Sequence, residues 1–322
     1  ATADIDIFHL RMRVNTWDYW FAIRQKHSVS LFYPKDMMRL FLHGNGEMVG
    51  ETIDFSPLGL NANLHREYTF GVATELDKWT FGGRLSFLQG LSCVYLKPKK
   101  MTATIDEDVF DHTFDVDATL RSAGVPVDFD VLQEGGGIDF SFINDMDWLI
   151  KYLTEFRNPG LSLSLGASYK FDERTTFSAS VTDLGFINWS DDEVINYRTF
   201  GEAKFSGLDA LGGLLDRSGI DIDTTINEFV GSFITEEGFE DSFMTWLPPK
   251  FYLMSDYQLA RRTHFAFQLY GVVNRKFYPG FSLAVSQGIG RYFNLAMSGS
   301  FNQRSVTNVG FGLLLKPGPL QI

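Results

Sequence analysis

The chain has 322 residues, 44% of them hydrophobic and 15% aromatic, and a formal net charge of −12. No stretch approaches the roughly 18 to 20 uncharged apolar residues of a spanning helix. With a mean hydropathy of only −0.07, a bundle of membrane helices is excluded. The acidic balance, without a clustered basic face, argues against a nucleic-acid partner.

Alternating runs at 2–14 and 18–32 open the chain, joined by a turn at Asn15–Trp17. In the second, Tyr19, Phe21, Ile23, Val29 and Leu31 share one face, while Arg24, Lys26, Ser28 and Ser30 take the other. Pro34 suits a first helical position and Gly44-Asn45-Gly46 a stop, so Lys35–Leu42 reads as a helix. Runs 59–76 and 79–97 follow, with Asp77-Lys78 between them. From Trp79 to Tyr95 every second residue (Trp79, Phe81, Gly83, Leu85, Phe87, Gln89, Leu91, Cys93, Tyr95) belongs to an uncharged, largely apolar row. The row between is small and polar and holds Arg84. At about 3.3 Å per residue such a run crosses a hydrocarbon core at barrel tilt. Cys93, the sole cysteine, reads as a small apolar filler of its row.

Segment 101–120 reads as an external hairpin. Asn144 or Asp145 caps a predicted helix that buries Trp148, Leu149, Tyr152, Leu153 and Phe156. Runs 161–171 and 174–185 are again strands, and 195–205 is a further candidate. Residues 207–235 read as two short helices, the first around Leu208–Leu215 with Leu211, the second with Ile226, Phe229, Val230 and Phe233 on one face. Strand-like runs at 251–259, 263–273, 278–288, 291–301, 305–316 and 319 onward complete the series. Twelve spanning segments result, and 195–205 with residues beyond the termini raises the expectation to about 14 strands, within a range of about 12 to 16.

Short turns fall at every second connection and long excursions at 33–58, 98–160 and 186–249, the arrangement of an outer-membrane barrel with short periplasmic turns and long external loops. The expected fold is therefore all-β: a transmembrane antiparallel β-barrel with helix-containing external loops, one domain over 1–322. The acid is concentrated in the loops: 101–147 holds twelve Asp/Glu against one Arg, and 183–241 fourteen against three Lys/Arg. No signal peptide is visible at Ala1 and the last run stops short of a spanning strand, so both termini are expected to be processed or truncated.

The inner rows place Arg11, Arg13, Arg24, Lys26, Glu67, Arg84, Lys170 and His264 in the lumen, with His9 and His65. They suit a selective conduit or an anionic-ligand site; the plainer expectation is that they brace a filled lumen. The six histidines show no metal-ligand spacing, and the acidic loops match no Ca²⁺ motif, so no metal or cofactor is expected. His264 with Ser282 or Ser286 is the one conceivable hydrolase grouping, and serine is too common here for it to carry weight; no enzyme activity is expected. Trp148, Tyr152, Phe156, Leu211, Phe229 and Phe233 are the candidates for a plug or a partner-docking surface.

Tyr33-Pro34-Lys35-Asp36 with Gly44-Asn45, Arg66-Glu67-Tyr68, Gly82-Gly83-Arg84-Leu85 with Leu88-Gln89-Gly90, Asp183–Trp189, Gly207-Leu208-Asp209, Leu247-Pro248-Pro249-Lys250 and Gly318-Pro319-Leu320-Gln321 run in order along the chain. Together they resemble a Bacteroidota outer-membrane β-barrel family of unknown function, loosely related to the PorV and PorP/SprF barrels and to the FadL-like fold. The resemblance implies location and fold and brings no catalytic residues; segment 138–158 fits it poorly. The leading functional expectation is a non-enzymatic accessory or structural subunit of an outer-membrane complex, such as type IX secretion, barrel assembly or SusCD-type uptake. Its partners would be outer-membrane lipid, lipopolysaccharide and other outer-membrane or periplasmic proteins. The alternative is a FadL-like transporter of hydrophobic small molecules, with Phe229, Phe233 and Trp246 around an apolar pocket and an opening between strands. Open diffusion through a porin stands third.

Overall fold

The computed structural model describes residues 2–43, 46–106, 112–124, 157–190, 194–205, 232–238, 242–290, 292–302 and 305–315. Alternation of apolar and polar residues over ten or more positions gives a strand one apolar and one polar face, and long strands of this kind form one antiparallel sheet. The wall follows the path β1 (Thr2–Val14), β2 (Trp17–Phe32), β4 (Gly59–Leu76), β5 (Trp79–Ile105), β7 (Pro159–Lys170), β8 (Thr175–Trp189), β12 (Lys250–Ala260), β13 (Thr263–Asn274), β14 (Lys276–Ile289), β15 (Phe293–Asn302) and β16 (Ser305–Leu315). Every pairing along it is antiparallel. Among the described residues β1 and β16 do not pair with each other, and β1 is exposed on both faces.

Two-residue turns follow from the pairing of Val14 with Trp17 and of Leu76 with Trp79. Asn15 (φ 56°) and Asp77 (φ 53°) take the left-handed conformation such turns require. Near this end Trp79 packs on Tyr169 with ring centroids 4.7 Å apart, and Phe171 and Phe177 meet edge-on, an aromatic cluster of the kind that girdles barrels at a membrane interface.

At the opposite end the chain builds upward. Beyond the wall β5 continues to Ile105 and pairs with β6 (His112–Ala123), the hairpin expected over 101–120. The helix expected after Pro34 is α1 (Lys35–His43), and β3 (Thr52–Asp54) joins β5 over a small core of Met48, Ile53, Phe55, Ala103 and Ile105.

Three expectations change. Segment 195–205 is β9 (Ile195–Phe205), but it pairs with β6 and with β10 (Ile234–Gly238), off the wall path, so its alternation serves the external sheet. Ile234 and Thr235, placed in a helix by the sequence, begin β10. The two-residue period of β5 slips beside Leu64 and His65, where Leu91 is the extra residue. Cys93 therefore leaves the lipid row and is buried with Leu88, Ala123, Ile187, Trp189 and Phe243. The helix at 144–156 with Trp148, Tyr152 and Phe156, the segment holding Leu211 and Phe229, and the run from 319 onward lie outside the described residues.

Candidate functional site

Even positions of β2 and β5 and odd positions of β4 face inward. This alternation puts Lys26, Arg84, His65 and Glu67 on the lumen side, and the register sets Lys26 opposite His65 and Arg24 opposite Glu67. Lys26 Nζ lies 3.0 Å from Glu67 Oε1, and His65 Nε2 is 3.6 Å from the same oxygen. His65 Nδ1 is held by Asn63 Oδ1 at 2.8 Å.

The second anchor is Asp183. Counted in twos along β8 it falls in the outer row with Phe177, Ala179 and Val181, where a carboxylate would face lipid. A β-bulge prevents this: pairing with β7 shifts between Leu163 and Leu165, and Asp183 sits at φ 61°. Its amide donates to Ser164 Oγ at 3.2 Å, and its side chain turns inward, buried. There it meets Lys250 Nζ at 2.9 Å, Lys26 Nζ at 3.2 Å and Arg84 Nη2 at 3.5 Å. A charge taken out of water costs several kcal/mol unless paired in this way.

Three ties cross the lumen. Lys26 on β2 reaches Asp183 on β8, although β4, β5 and β7 separate those strands along the wall. Asn274 on β13 donates to Ser30 Oγ on β2 at 3.3 Å. Arg275, in the β13–β14 turn at φ 60°, stacks 4.3 Å over Phe32 and donates to the carbonyls of Pro57 and Leu96, each at 3.3 Å. Gly59 makes room for it, because a Cβ there would lie 2.2 Å from Arg275 Nη2. The Lys26–Asp183 cluster is thus a floor and Arg275 a strap across the mouth. Between them lies a cavity of about 710 Å³ with a mixed lining of charged, amide, aromatic and apolar residues.

The wall beside this cavity is interrupted. β11 (Phe243–Trp246) pairs with β8, β12 begins only at Lys250, and Leu247-Pro248-Pro249 joins the two in the space between β8 and β13. Leu247 N–H donates to Gly185 O at 2.9 Å and Val273 N–H to Pro249 O at 3.0 Å, while the two prolines have no N–H to give. Outside this segment is an apolar groove of about 620 Å³, lined by Leu161, Leu163, Leu184, Phe186 and Trp246 among others. Trp246, Leu247, Pro248 and Asn274 line both the groove and the inner cavity. Trp246 is 71% exposed and meets Phe186 edge-on.

Of the residues expected in the lumen, Lys26, Glu67 and Arg84 converge in the cluster. Arg24 pairs with Asp6, Arg11 with Asp18 at 3.0 Å and Arg13 with Glu75 at 3.1 Å, all on or beside the edge strand. Lys170 is exposed at the short-turn rim. His264 Nδ1 is 3.2 Å from Asp256 Oδ1, the carboxylate contact a Ser-His-Asp grouping would also make; Ser286 stands opposite His264 in the β13–β14 register, and Ser282 donates to Gln268 Oε1 at 3.4 Å. Phe233 is half-buried beside Gly201, away from the groove. Among the described residues no group of three or more His, Cys, Asp or Glu is placed to hold a metal ion.

Asp183 and Lys250 entered the sequence reading only within the motifs of the family resemblance, with no role in the lumen, and Arg275 did not enter it. An acid on the apolar row of β8 was the available signal for Asp183, since only a bulge makes it tolerable. Lys250 follows two prolines and reads as a loop end; nothing in the sequence marks Arg275.

The family model "Family of unknown function (DUF5723)" matches residues 1–322. The chain belongs to this family. No curated protein matches it. Among solved structures it is similar to the P. putida toluene transporter TodX, with 10% identity over 97% of this chain and 72% of that one, at a TM-score of 0.46. It is also similar to the ferric yersiniabactin uptake receptor FyuA from Yersinia pestis, with 9% identity and a TM-score of 0.25 over 94% of this chain. The chain spans about half of that receptor, 47%.

Proposed function

We propose that this member of the family is an outer-membrane barrel that passes a small amphiphilic molecule between its lumen and the bilayer, through the wall at Leu247-Pro248-Pro249. The observation that carries this reading is the shared lining: the inner cavity and an apolar outer groove meet at Trp246, Leu247, Pro248 and Asn274. A strapped mouth and an ionic floor leave the side as the route of least rearrangement. This modifies the transporter alternative of the sequence reading, which had a hydrophobic small molecule and a pocket of Phe229, Phe233 and Trp246, by taking an amphiphile and keeping Trp246 beside the opening.

An accessory role in an outer-membrane complex is the second reading. It is favoured by the external sheet of β5, β6, β9 and β10, which stands off the wall and offers surface to a partner. Lipopolysaccharide and other outer-membrane proteins are the partners such a surface would meet.

The test is transfer of a fluorescent alkyl amphiphile into proteoliposomes by the wild type and by the double variant Pro248→Val/Pro249→Val. Valine restores the missing N–H groups and lets the segment pair as a strand. A several-fold slower transfer is expected. Unchanged transfer in a folded double variant, or wild-type transfer no faster than in protein-free vesicles, overturns the proposal.

A further inference from the structure

We infer that the inner cavity receives a sugar headgroup, so that the amphiphile is glycolipid-like: a mono- or disaccharide inside, its acyl or alkyl tail leaving through the seam into the outer groove. The inference rests on the transport reading and names its substrate class.

The argument begins with charge. A carboxylate or ammonium headgroup needs an opposite charge that is not already engaged. Lys26 is held by Glu67 and Asp183, and Lys250 by Asp183. His27 contacts Gln25, and the remaining lining acid, Asp4, stands exposed on the edge strand. What faces the cavity beyond these is neutral: apolar at Trp246, Leu247, Pro248 and Val272 on the seam side, and dense in hydrogen-bonding side chains elsewhere. Asn61, Asn63, Asn274, Asn302 and Asn308 all line it, as do Ser28 and Ser30. An amide offers a donor and an acceptor side by side, and vicinal hydroxyls offer the same pair in return.

Shape and packing point the same way. A cavity of about 710 Å³ far exceeds what one carboxylate fills and lies within the roughly 300–1,000 Å³ of small-molecule sites. Tyr270 and Tyr278 contribute aromatic surface for the C–H face of a sugar ring, each with a hydroxyl at its edge. Tyr270 is fixed in advance: its ring lies over Gly280, where a Cβ would be 2.4 Å from Tyr270 Cζ, and Asn302 Nδ2 donates to its hydroxyl at 3.3 Å. A rigid donor–acceptor wall loses little entropy when a ligand binds.

The experiment uses the protein in phosphatidylcholine nanodiscs and four probes with the same decyl tail: a maltoside, a tetraethylene glycol ether, a carboxylate and a trimethylammonium. The maltoside is expected to bind about tenfold more tightly than the other three, the worth of one or two net hydrogen bonds. Asn61→Leu and Tyr270→Phe should each weaken the maltoside about fivefold and leave the glycol ether unchanged. Trp246→Ala should weaken all four alike. Heat-modifiable mobility on gels confirms that each variant is folded, and Asn61→Gln, which keeps the amide, should restore the preference. Equal binding of the glycol ether, or tighter binding of a charged probe, overturns the sugar assignment and leaves lateral transport standing. Binding of none of the four overturns both.

Discussion

Asp183 and Lys26 are 157 positions apart in sequence and on strands separated by three others, yet their side chains meet across the lumen at 3.2 Å. The contact exists because the backbone of β8 breaks its period at one residue. It is paid for in conformation, since Asp183 occupies a left-handed φ of 61°.

Removing the carboxylate should therefore be costly. Asp183→Ala leaves Lys26, Lys250 and Arg84 facing one another, with Glu67 the one carboxylate still in contact among the described residues. Breaking a buried cluster in this way is worth about 3–5 kcal/mol. Urea unfolding followed by tryptophan fluorescence should show a lowered midpoint with an unchanged slope. A midpoint within error of the wild type would refute the role given to the cluster.

Trp20 and Gly71 form a matched pair on the inner face. A Cβ at Gly71 would sit 1.9 Å from Trp20 Cε2, so Gly71→Ala overpacks the lumen at a cost of roughly 1–3 kcal/mol. Combining it with Trp20→Leu should recover much of that loss. Additive destabilisation in the double variant would show that the two residues do not share the space.

Arg275, through its ties to Phe32, Pro57 and Leu96, is expected to restrict entry from the mouth. In Arg275→Ala, a water-soluble thiol reagent should label a cysteine introduced at Asn61 several-fold faster than in the otherwise wild-type barrel. The native Cys93 is buried at 1% exposure and should stay silent. Equal labelling rates would mean that the turn does not strap the cavity.

The external sheet should respond to acid through Asp117. The hydrogen bond from Arg198, at 3.0 Å, holds its carboxyl below the ordinary value and outweighs desolvation. A lowered carboxylate pKa adds stability that is fully present above about pH 4 and fades as the pH falls through the lowered value. The pair is exposed and worth under about 1 kcal/mol. Hydrogen exchange of the β6 and β9 amides should accelerate over that acidic window in the wild type and lose the dependence in Arg198→Gln. Identical profiles would assign the acid response to other groups.

The wall was legible because lipid on one side and water on the other impose a strict period of two, and eleven of the twelve segments read this way are its strands. Lys26, Glu67 and Arg84 followed from the same count. The count fails wherever a residue is added. Leu91 and Asp183 each shift the phase by one, and nothing local to Leu91 announces this. The alternation in 195–205 was real, but alternation does not say whether the apolar face meets lipid or another layer of protein. Cross-lumen ties such as Arg275 to Phe32 depend on how far opposite walls approach, which no pattern within one strand records.

The two bulges also draw a boundary. They occur on β5 and β8, on either side of β7, a strand of 12 residues that pairs with β5 from Trp79 up to Gln89 and no further. Below that level the inward positions are polar, and their charges are buried in pairs. From the last β7 pairs upward Leu88, Cys93, Ile187 and Trp189 close into a dry core of the kind found in water-soluble sheets. One continuous strand therefore belongs to two solvents. A lysine scan along the outer face of β5 would trace the edge of the bilayer as a step in tolerance at Gly90 and Leu91, locating the membrane surface without any lipid in view.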